Sequence, residues 1–172
     1  MARVALDLNR QADREKLKAT WRRAGGLVPG EPNEGLVATL ERSPPRLPDY
    51  DDSGWEVCDN IRESISKGLT FAWYRIAVEV PEAVDGVSLA GSRVLFEINA
   101  DNYAEFWVDG QMDRLGGSAI SGFNASQRVE VVAKAAPGTR HLIAVLVANG
   151  PLSEPRGGVY LRYATLAFET PG

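Results

Sequence analysis

The sequence has few of the residues that form disulfides or bind metals in small proteins: it has one Cys and one His among 172 residues. The lone Cys58 cannot form an intramolecular disulfide, and we interpret it as a passive, small side chain. One His and one Cys cannot supply the usual ligands of a zinc site. Lys and Arg (19) do not outnumber Asp and Glu (23), and no basic stripe is present, which argues against nucleic-acid binding.

Long apolar runs are also missing. No stretch approaches the roughly 18–20 apolar residues of a membrane helix, so we expect no membrane association. The amino terminus, MARVALDLNRQADREK, has no secretory h-region, and we therefore expect a cytoplasmic protein. The composition is 44% hydrophobic and 24% charged, with 17 Gly and 10 Pro dispersed along the chain, which is typical of one turn-rich globular domain.

The first 26 residues favour a helix. Strong helix formers follow Asn9, a candidate N-cap, and Gly25-Gly26 would end the helix. The apolar stripe of this segment has helical spacing and consists of Leu17, Trp21 and Ala24. A second interpretation ends the helix near Lys18 and leaves residues 19–23 extended. We expect residues 1–26 to form an N-terminal helical segment and residues 27–170 to form a β-sandwich, as a single domain overall.

Residues 28–52 contain five prolines, which remove backbone donors and fix φ, so this stretch predicts a long connection. From Leu69 onward the apolar period changes to two, which is typical of strands. Strands are predicted, with turn signals between them, at Leu69–Val80, Arg93–Asn99, Tyr103–Val108, Gln127–Ala133, His141–Ala148 and Tyr160–Phe168. This spacing predicts an all-β fold, an antiparallel β-sandwich of the jelly-roll kind.

Alternation within three of these strands separates an apolar side from a polar and aromatic side. The apolar sides contain Tyr74-Ile76-Val78-Val80, Val94-Phe96-Ile98 and Ala104-Phe106-Val108. The opposite sides predict one ligand-binding face made of Trp73, Arg75, Glu97, Asn99, Tyr103, Glu105 and Trp107. Aromatic planes beside charged groups suit a polyhydroxylated or aromatic ligand. The alternative is ordinary cross-strand ion pairs, with the aromatics covered by the N-terminal segment. If the proline-rich segment crosses this face, it either buries the face or forms a wall of a pocket.

Four motifs carry a family resemblance: DYDDSGWE at 49–56, FAWYRIAVEVP at 71–81, FEINADNYAEFWVDG at 96–110 and APGTRHLIAVLVANGPLSEP at 136–155. Together they resemble a galactose-binding-like jelly roll. The module is similar to those fused to lactonases of the gluconolactonase and regucalcin kind and, more distantly, to the sugar-binding domain of family 2 glycoside hydrolases. No propeller sequence follows, so we expect a module that stands alone, without the hydrolytic chemistry of the fused relatives.

The resemblance implies structural roles for several residues. Asp51, Asp52 and Ser53 would form a turn that lets Trp55 plug the end of the sandwich. Tyr74 would bury its ring and need a partner for its hydroxyl. Asp109-Gly110 would form a hairpin turn, and Asn149-Gly150-Pro151 a sharp strand exit.

Chemistry beyond binding has few candidates. We expect no cofactor, although the oxygen-rich residues Asp49, Asp51, Asp52 and Asp59, or Asp101 and Asn102, leave structural Ca²⁺ open. His141 reads as a surface or loop-end residue. Phosphate-binding and nucleophile-elbow motifs are missing. An acid–base route would use Glu97 and Glu105, tuned by Arg75, with Tyr103 as a further donor.

Three functions therefore stay open at the level of sequence. The first is a small-molecule or carbohydrate-binding module that uses the predicted face. The second is a small intracellular enzyme, of lyase, isomerase or hydrolase type, that uses the same carboxylates. The third is an assembly subunit, a homo-oligomer or the partner of another protein, because a sandwich has sheet edges that need cover.

Overall fold

The structure is a computed structural model that describes residues 2–26, 44–65, 70–101, 103–113, 120–122, 124–149 and 158–171. In chain order the strands are β1 (Arg3–Asp7), β2 (Trp21–Gly26), β3 (Glu56–Val57), β4 (Thr70–Glu79), β5 (Ala83–Val84), β6 (Val87–Ser88), β7 (Arg93–Asp101), β8 (Tyr103–Val108), β9 (Ile120–Ser121), β10 (Ser126–Val132), β11 (Arg140–Asn149) and β12 (Tyr160–Glu169). Helix α1 (Gln11–Lys16) lies between β1 and β2, and a 3-10 helix covers Pro44–Arg46.

Two antiparallel sheets face each other. The smaller has the order β1-β12-β7-β10 and the larger has the order β3-β2-β4-β11-β8-β9, while β5 and β6 form a separate hairpin. From β7 to β12 the long strands alternate between the two sheets, which is the connectivity of a jelly roll. The predicted all-β antiparallel sandwich is confirmed. In the described part of the chain, no helix has the length and apolar character that a membrane crossing requires.

The core between the sheets is the one that alternation predicts. Tyr74, Phe96 and Phe106 are almost fully buried, and the remaining residues of the three apolar sides line the same core. The Tyr74 hydroxyl donates a hydrogen bond to the Val159 carbonyl (3.4 Å), which supplies the partner that the sequence required. Burial raises the pKa of Tyr74, so its hydroxyl stays protonated and acts as a donor.

The N-terminal segment corrects the longer of the two helix predictions. Helix α1 is only six residues long and has Arg10, not Asn9, as its N-cap. Lys18, with φ 48°, ends the helical path, and Trp21 begins β2. The Trp21 indole is fully buried and donates to the Leu8 carbonyl (3.0 Å), so burial of this ring outweighs the local helix propensity.

Residues 1–26 are also more than a helical appendage, because they contribute a strand to each sheet. β1 pairs with β12 in the smaller sheet, and β2 pairs with β4 in the larger one. Asn9 accepts a hydrogen bond from the Ile61 amide (2.9 Å) instead of capping the helix. The alternative in which the helix ends near Lys18 and the next residues are extended is confirmed.

The predicted turn at Asp109-Gly110 is confirmed. Asp109 (φ 49°) and Gly110 (φ 78°) both have left-handed backbones, as a type I′ hairpin turn requires. Val108 and Gln111 close the turn with reciprocal 2.9 Å hydrogen bonds. The predicted exit turn Asn149-Gly150-Pro151 falls on residues 150 and 151, outside the described residues.

Substitution of Gly110 by alanine is expected to destabilise the protein by about 1–2 kcal/mol, because an L-residue is strained in this backbone region. The added Cβ would also lie 3.4 Å from Leu47 and Pro48. Gly138→Ala is the matched control for the backbone strain alone, since Gly138 has φ 82° and no described atom lies within 4 Å of its Cβ position. Urea unfolding measures both, and a Gly110→Ala protein as stable as the wild type would contradict the turn assignment.

Candidate functional site

Strand β11 brings five of the predicted site residues onto one sheet. Its Ala144 pairs with Arg75 of β4 on one side and with Trp107 of β8 on the other. Leu146 likewise pairs with Trp73 and Glu105, and Ala148 pairs with Tyr103. Because residues in register share a face, all five side chains are on the outer face of the larger sheet.

The other two predicted site residues, Glu97 and Asn99, are in the wrong place for a shared face. Both lie on β7, which belongs to the smaller sheet, and both point away from the core on the opposite side of the sandwich. Glu97 pairs with Arg3 (2.5 Å), and the Asn99 amide lies 3.3 Å from Asn124 Oδ1. Strands β7 and β8 are consecutive but in different sheets, so the prediction of one seven-residue face is wrong.

This placement also removes the predicted acid–base pair. Glu97 and Glu105 lie on outer faces that are separated by the whole thickness of the sandwich, about 10 Å between packed sheets. Glu105 is buried, and the hydroxyl of Tyr103 donates to its Oε1 (2.9 Å). The two carboxylates therefore cannot act together on one small ligand, and Arg75 cannot tune both of them.

A segment that we call the strap, residues 44–55, crosses the outer face of the larger sheet. Trp55 of the strap, with Phe71 and Met112, packs against a second apolar cluster formed by Trp73, Trp107, Ala144 and Leu146. The two indoles lie 5.2 Å apart between ring centroids, and Trp73 is fully buried. The described strap therefore buries Trp73 and Trp107 on this face, while Tyr103 stays exposed; residues 27–43 lie outside the described residues.

Arg75 holds the strap down. Its guanidinium is almost fully buried, and Nε donates to Asp52 Oδ2 at 2.6 Å. Its Nη atoms donate to strap carbonyls, at 2.9 Å to Leu47, at 3.2 Å to Tyr50, and also to Pro45. The same guanidinium lies 5.3 Å from the centroid of the Tyr50 ring, a cation–π distance.

Short-range turns shape the rest of the strap. The Leu47 amide donates to the Pro44 carbonyl (2.9 Å) and closes the 3-10 turn. Asp51 Oδ1 accepts from the Ser53 amide (2.9 Å), which is the predicted Asx turn. Hydrogen bonds from the side chain and backbone of Ser53 lower the pKa of Asp51. Trp55 packs on the outer sheet face, in T-shaped contact with Tyr50 (5.6 Å), and not at the end of the sandwich.

A pocket of about 330 Å³ opens where the edge of the strap meets the sheet. We call it the strap-edge pocket. Its lining comes from the strap, from β4, from the β8 turn and from the start of β11, and consists of Pro48, Tyr50, Asp52, Arg75, Ala77, Asp109, Arg140, His141 and Leu142. One aromatic ring, two carboxylates, two arginines and an imidazole thus converge on a small concave surface.

The Asp109–His141 pair forms the wall of this pocket opposite the strap. His141 Nδ1 donates to Asp109 Oδ2 (2.7 Å), and the Leu142 amide donates to Asp109 Oδ1 (2.7 Å). The carboxylate fixes the orientation of the imidazole and leaves Nε2, which lies 3.5 Å from Thr139 Oγ1, on the outer side of the ring. β11 begins at Arg140, one residue before the predicted start at His141, and His141 lies in a pocket with a carboxylate partner.

Of the residues that line this pocket, the sequence predicts only Arg75 as a ligand-binding residue. It predicts Tyr50 and Asp52 in a connection or a turn, with Asp52 also a calcium candidate, Asp109 in a hairpin and His141 at a loop end. The only indication of this pocket in the sequence is an Asp in one turn and an Arg-His dipeptide at the start of another strand. These residues point to a common site only when β8 and β11 are known to be neighbours.

The groove on the smaller sheet and the thiol of Cys58 are weaker candidate sites. A groove of about 480 Å³ on the smaller sheet is lined by Glu97, Ser126, Gln127, Arg128 and Tyr163. Its carboxylate is already paired with Arg3 and lies 3.9 Å from Arg128. Within the described residues no three His, Cys, Asp or Glu side chains converge as metal ligands. Cys58 is buried, which raises the pKa of its thiol and disfavours the thiolate.

No protein-family model matches this sequence, and no curated protein matches it. Solved glycosidase structures nevertheless share its fold. A β-glucuronidase from Bacteroides uniformis has a TM-score of 0.62 at 16% sequence identity, over 97% of this chain and 18% of that chain. A family 2 β-glucuronidase has a TM-score of 0.63 at 15% identity, over 96% and 18%. A putative β-galactosidase from Bacteroides fragilis has a TM-score of 0.53 at 17% identity, over 98% and 23%.

This chain therefore spans between 18% and 23% of the length of these glycosidases. At such low identity the likeness shows a shared fold, an antiparallel sandwich that also occurs as one part of family 2 glycoside hydrolases. The predicted resemblance to the family 2 sandwich is supported at that level. The predicted relation to lactonase-fused modules stays a prediction.

Proposed function

We propose that this chain is a carbohydrate-binding β-sandwich domain that holds a sugar in the strap-edge pocket. The observation that carries this proposal is the convergence of the Tyr50 ring with Asp52, Asp109 and His141 around one cavity. Sugars present vicinal hydroxyls, which donate to carboxylates, and apolar C–H faces, which pack on aromatic rings. The likeness to glycosidase sandwiches supports the same ligand class as a proposal by analogy.

The size and stiffness of the pocket suit a small sugar. Its 330 Å³ lies at the low end of the range of about 300–1,000 Å³ for ligand pockets, which favours one or two sugar rings. Asp109 is fixed by two hydrogen bonds, and Tyr50 is held between Arg75 and Trp55. Binding groups that are already ordered lose little conformational freedom when the ligand arrives.

Two substitutions test the site. Asp109→Asn keeps the turn, because Asn tolerates the left-handed backbone, but it removes the charge that strengthens hydrogen bonds from sugar hydroxyls. Tyr50→Leu removes the aromatic plane and keeps an apolar side chain. We expect each variant to weaken binding of the best ligand in a panel of methyl glycosides about tenfold, as isothermal titration calorimetry measures, since about 1–2 kcal/mol is lost.

Tyr163→Leu, in the groove of the smaller sheet, is the matched control and should bind with wild-type affinity. Thermal melts of each variant separate loss of the site from loss of the fold. Unchanged binding in both pocket variants, or a loss confined to Tyr163→Leu, would place the sugar elsewhere and reject the strap-edge pocket.

The structure contradicts the predicted acid–base enzyme, because Glu97 and Glu105 lie on opposite outer faces of the sandwich. An assembly role stays a prediction; among the described strands, β1 and β10 border the smaller sheet, and β3 and β9 border the larger one.

A further inference from the structure

The charged side chains of the strap-edge pocket differ in how many hydrogen-bond and ion-pair partners they have. Asp52 is shared by two arginines, Arg75 at 2.6 Å and Arg22 at 3.6 Å. Asp109 receives the His141 imidazole on one oxygen and the Leu142 amide on the other. Arg140 is different, because within the described part of the chain its guanidinium has no ion pair or hydrogen bond.

Among the described residues, Arg140 has no carboxylate partner because the acceptor on the neighbouring strand is already paired. Arg140 begins β11 directly opposite Glu79 of β4, and both positions are on the outer face of the sheet. The Glu79 carboxylate pairs with Lys18 instead, so the nearest cross-strand acceptor is already occupied. As far as the described residues go, the pocket therefore has an exposed guanidinium without a partner at its rim, beside a wall whose carboxylates already have donors.

On the basis of the proposed function, we infer that the sugar bound in the strap-edge pocket carries a carboxylate, as a uronic acid does, and that Arg140 pairs with it. A guanidinium presents two parallel N–H donors that match the two oxygens of a carboxylate, and such bidentate pairs are stronger than neutral hydrogen bonds. The pocket lining contains two arginines and two aspartates, and both aspartates already accept hydrogen bonds, so a ligand carboxylate would pair with Arg140.

Each side of the pocket would contact a different part of the sugar. The hydroxyls of the ring would donate to the remaining lone pairs of Asp52 and Asp109, and the Tyr50 ring would pack on its C–H face. The carboxylate would reach the rim, where Arg140 lies. A neutral sugar has the first two contacts but leaves Arg140 in water, so the inference concerns selectivity between sugars and not sugar binding itself.

The test compares methyl β-D-glucuronide with methyl β-D-glucoside, and the corresponding galacto pair, by titration calorimetry of the full chain. We expect each uronide to bind at least tenfold more tightly than its neutral partner. Arg140→Gln should reduce this preference to within twofold, whereas Arg140→Lys should retain part of it. Arg128→Gln, a comparably exposed arginine in the groove of the smaller sheet, is the matched control and should keep the full preference.

The possible failures are distinguishable. Equal affinity for uronides and neutral glycosides would overturn this inference and leave the sugar-binding proposal standing. A preference that survives in Arg140→Gln would overturn the role of Arg140. A 6-sulfated glucoside that binds as tightly as the uronide would replace a carboxylate site with a general anion site. If no glycoside binds at all, the proposed function and this inference fail together.

Discussion

Replacement of Arg75 by methionine is expected to lower the free energy of unfolding by about 3–5 kcal/mol, because a buried ion pair loses one partner while the other stays. Among the described residues Asp52 would keep Arg22, 3.6 Å away, as its cationic partner. Three strap carbonyls would lose the Arg75 donor, and of these Leu47 would still accept from the Tyr50 amide (3.3 Å). Methionine retains much of the aliphatic volume, so the loss reports on the charge and the hydrogen bonds. Urea unfolding followed by circular dichroism measures it.

Arg22→Met is the control for this prediction. Arg22 is partly exposed and donates to the carbonyls of Ser53 and Trp55 at 3.3 Å, so its loss should cost about 1 kcal/mol. If the strap detaches without Arg75, tryptophan emission should also shift to longer wavelength as Trp55 and Trp107 become hydrated. An Arg75→Met protein within 1 kcal/mol of wild type would show that Arg75 does not hold the strap.

Replacement of Trp73 by alanine is expected to cost about 3–5 kcal/mol, since a fully buried indole leaves a large cavity. In the described part of the chain its Nε1 has no hydrogen-bond partner, so the loss reports on packing alone. Trp73 does not line the strap-edge pocket, and the folded fraction should bind sugar with wild-type affinity. Calorimetric unfolding and ligand titration of one protein sample measure both quantities.

Trp73→Phe provides the graded comparison, because it keeps an aromatic ring and should cost clearly less than alanine. A folded Trp73→Ala protein that loses its ligand but not its stability would restore the predicted role of Trp73 as a binding residue. Stability lost with binding retained would establish the cluster of Trp73, Trp107, Ala144 and Leu146 as a second core beneath the strap.

Alternation within strands predicted correctly which side chains enter the core. Tyr74, Phe96 and Phe106 are buried as expected, because the side-chain period of a strand is fixed by its backbone. Alternation does not say to which sheet a strand belongs. In a jelly roll the outward side of either sheet has the same polar pattern, so Glu97 on β7 and Glu105 on β8 look like neighbours until the pairing is known.

Arg75 illustrates a second limit of prediction from sequence. A polar residue at an outward position of a strand predicts exposure, yet Arg75 is 3% exposed. Its burial depends on carbonyl groups of Pro45, Leu47 and Tyr50, and backbone acceptors leave no trace in the identities of their residues. The proline content of the strap predicted a connection correctly but could not indicate which surface that connection crosses.

The order of strands in the smaller sheet has a consequence for how the chain acquires its structure. β12, the last strand, lies between β1, the first, and β7, so two rows of its hydrogen bonds join distant parts of the sequence. Contacts between such distant segments make folding slow, because the chain loses loop-closure entropy before the stabilising hydrogen bonds between the strands form. Until β12 is in place, β1 and one side of β7 therefore remain open strand edges, and such edges are prone to aggregation.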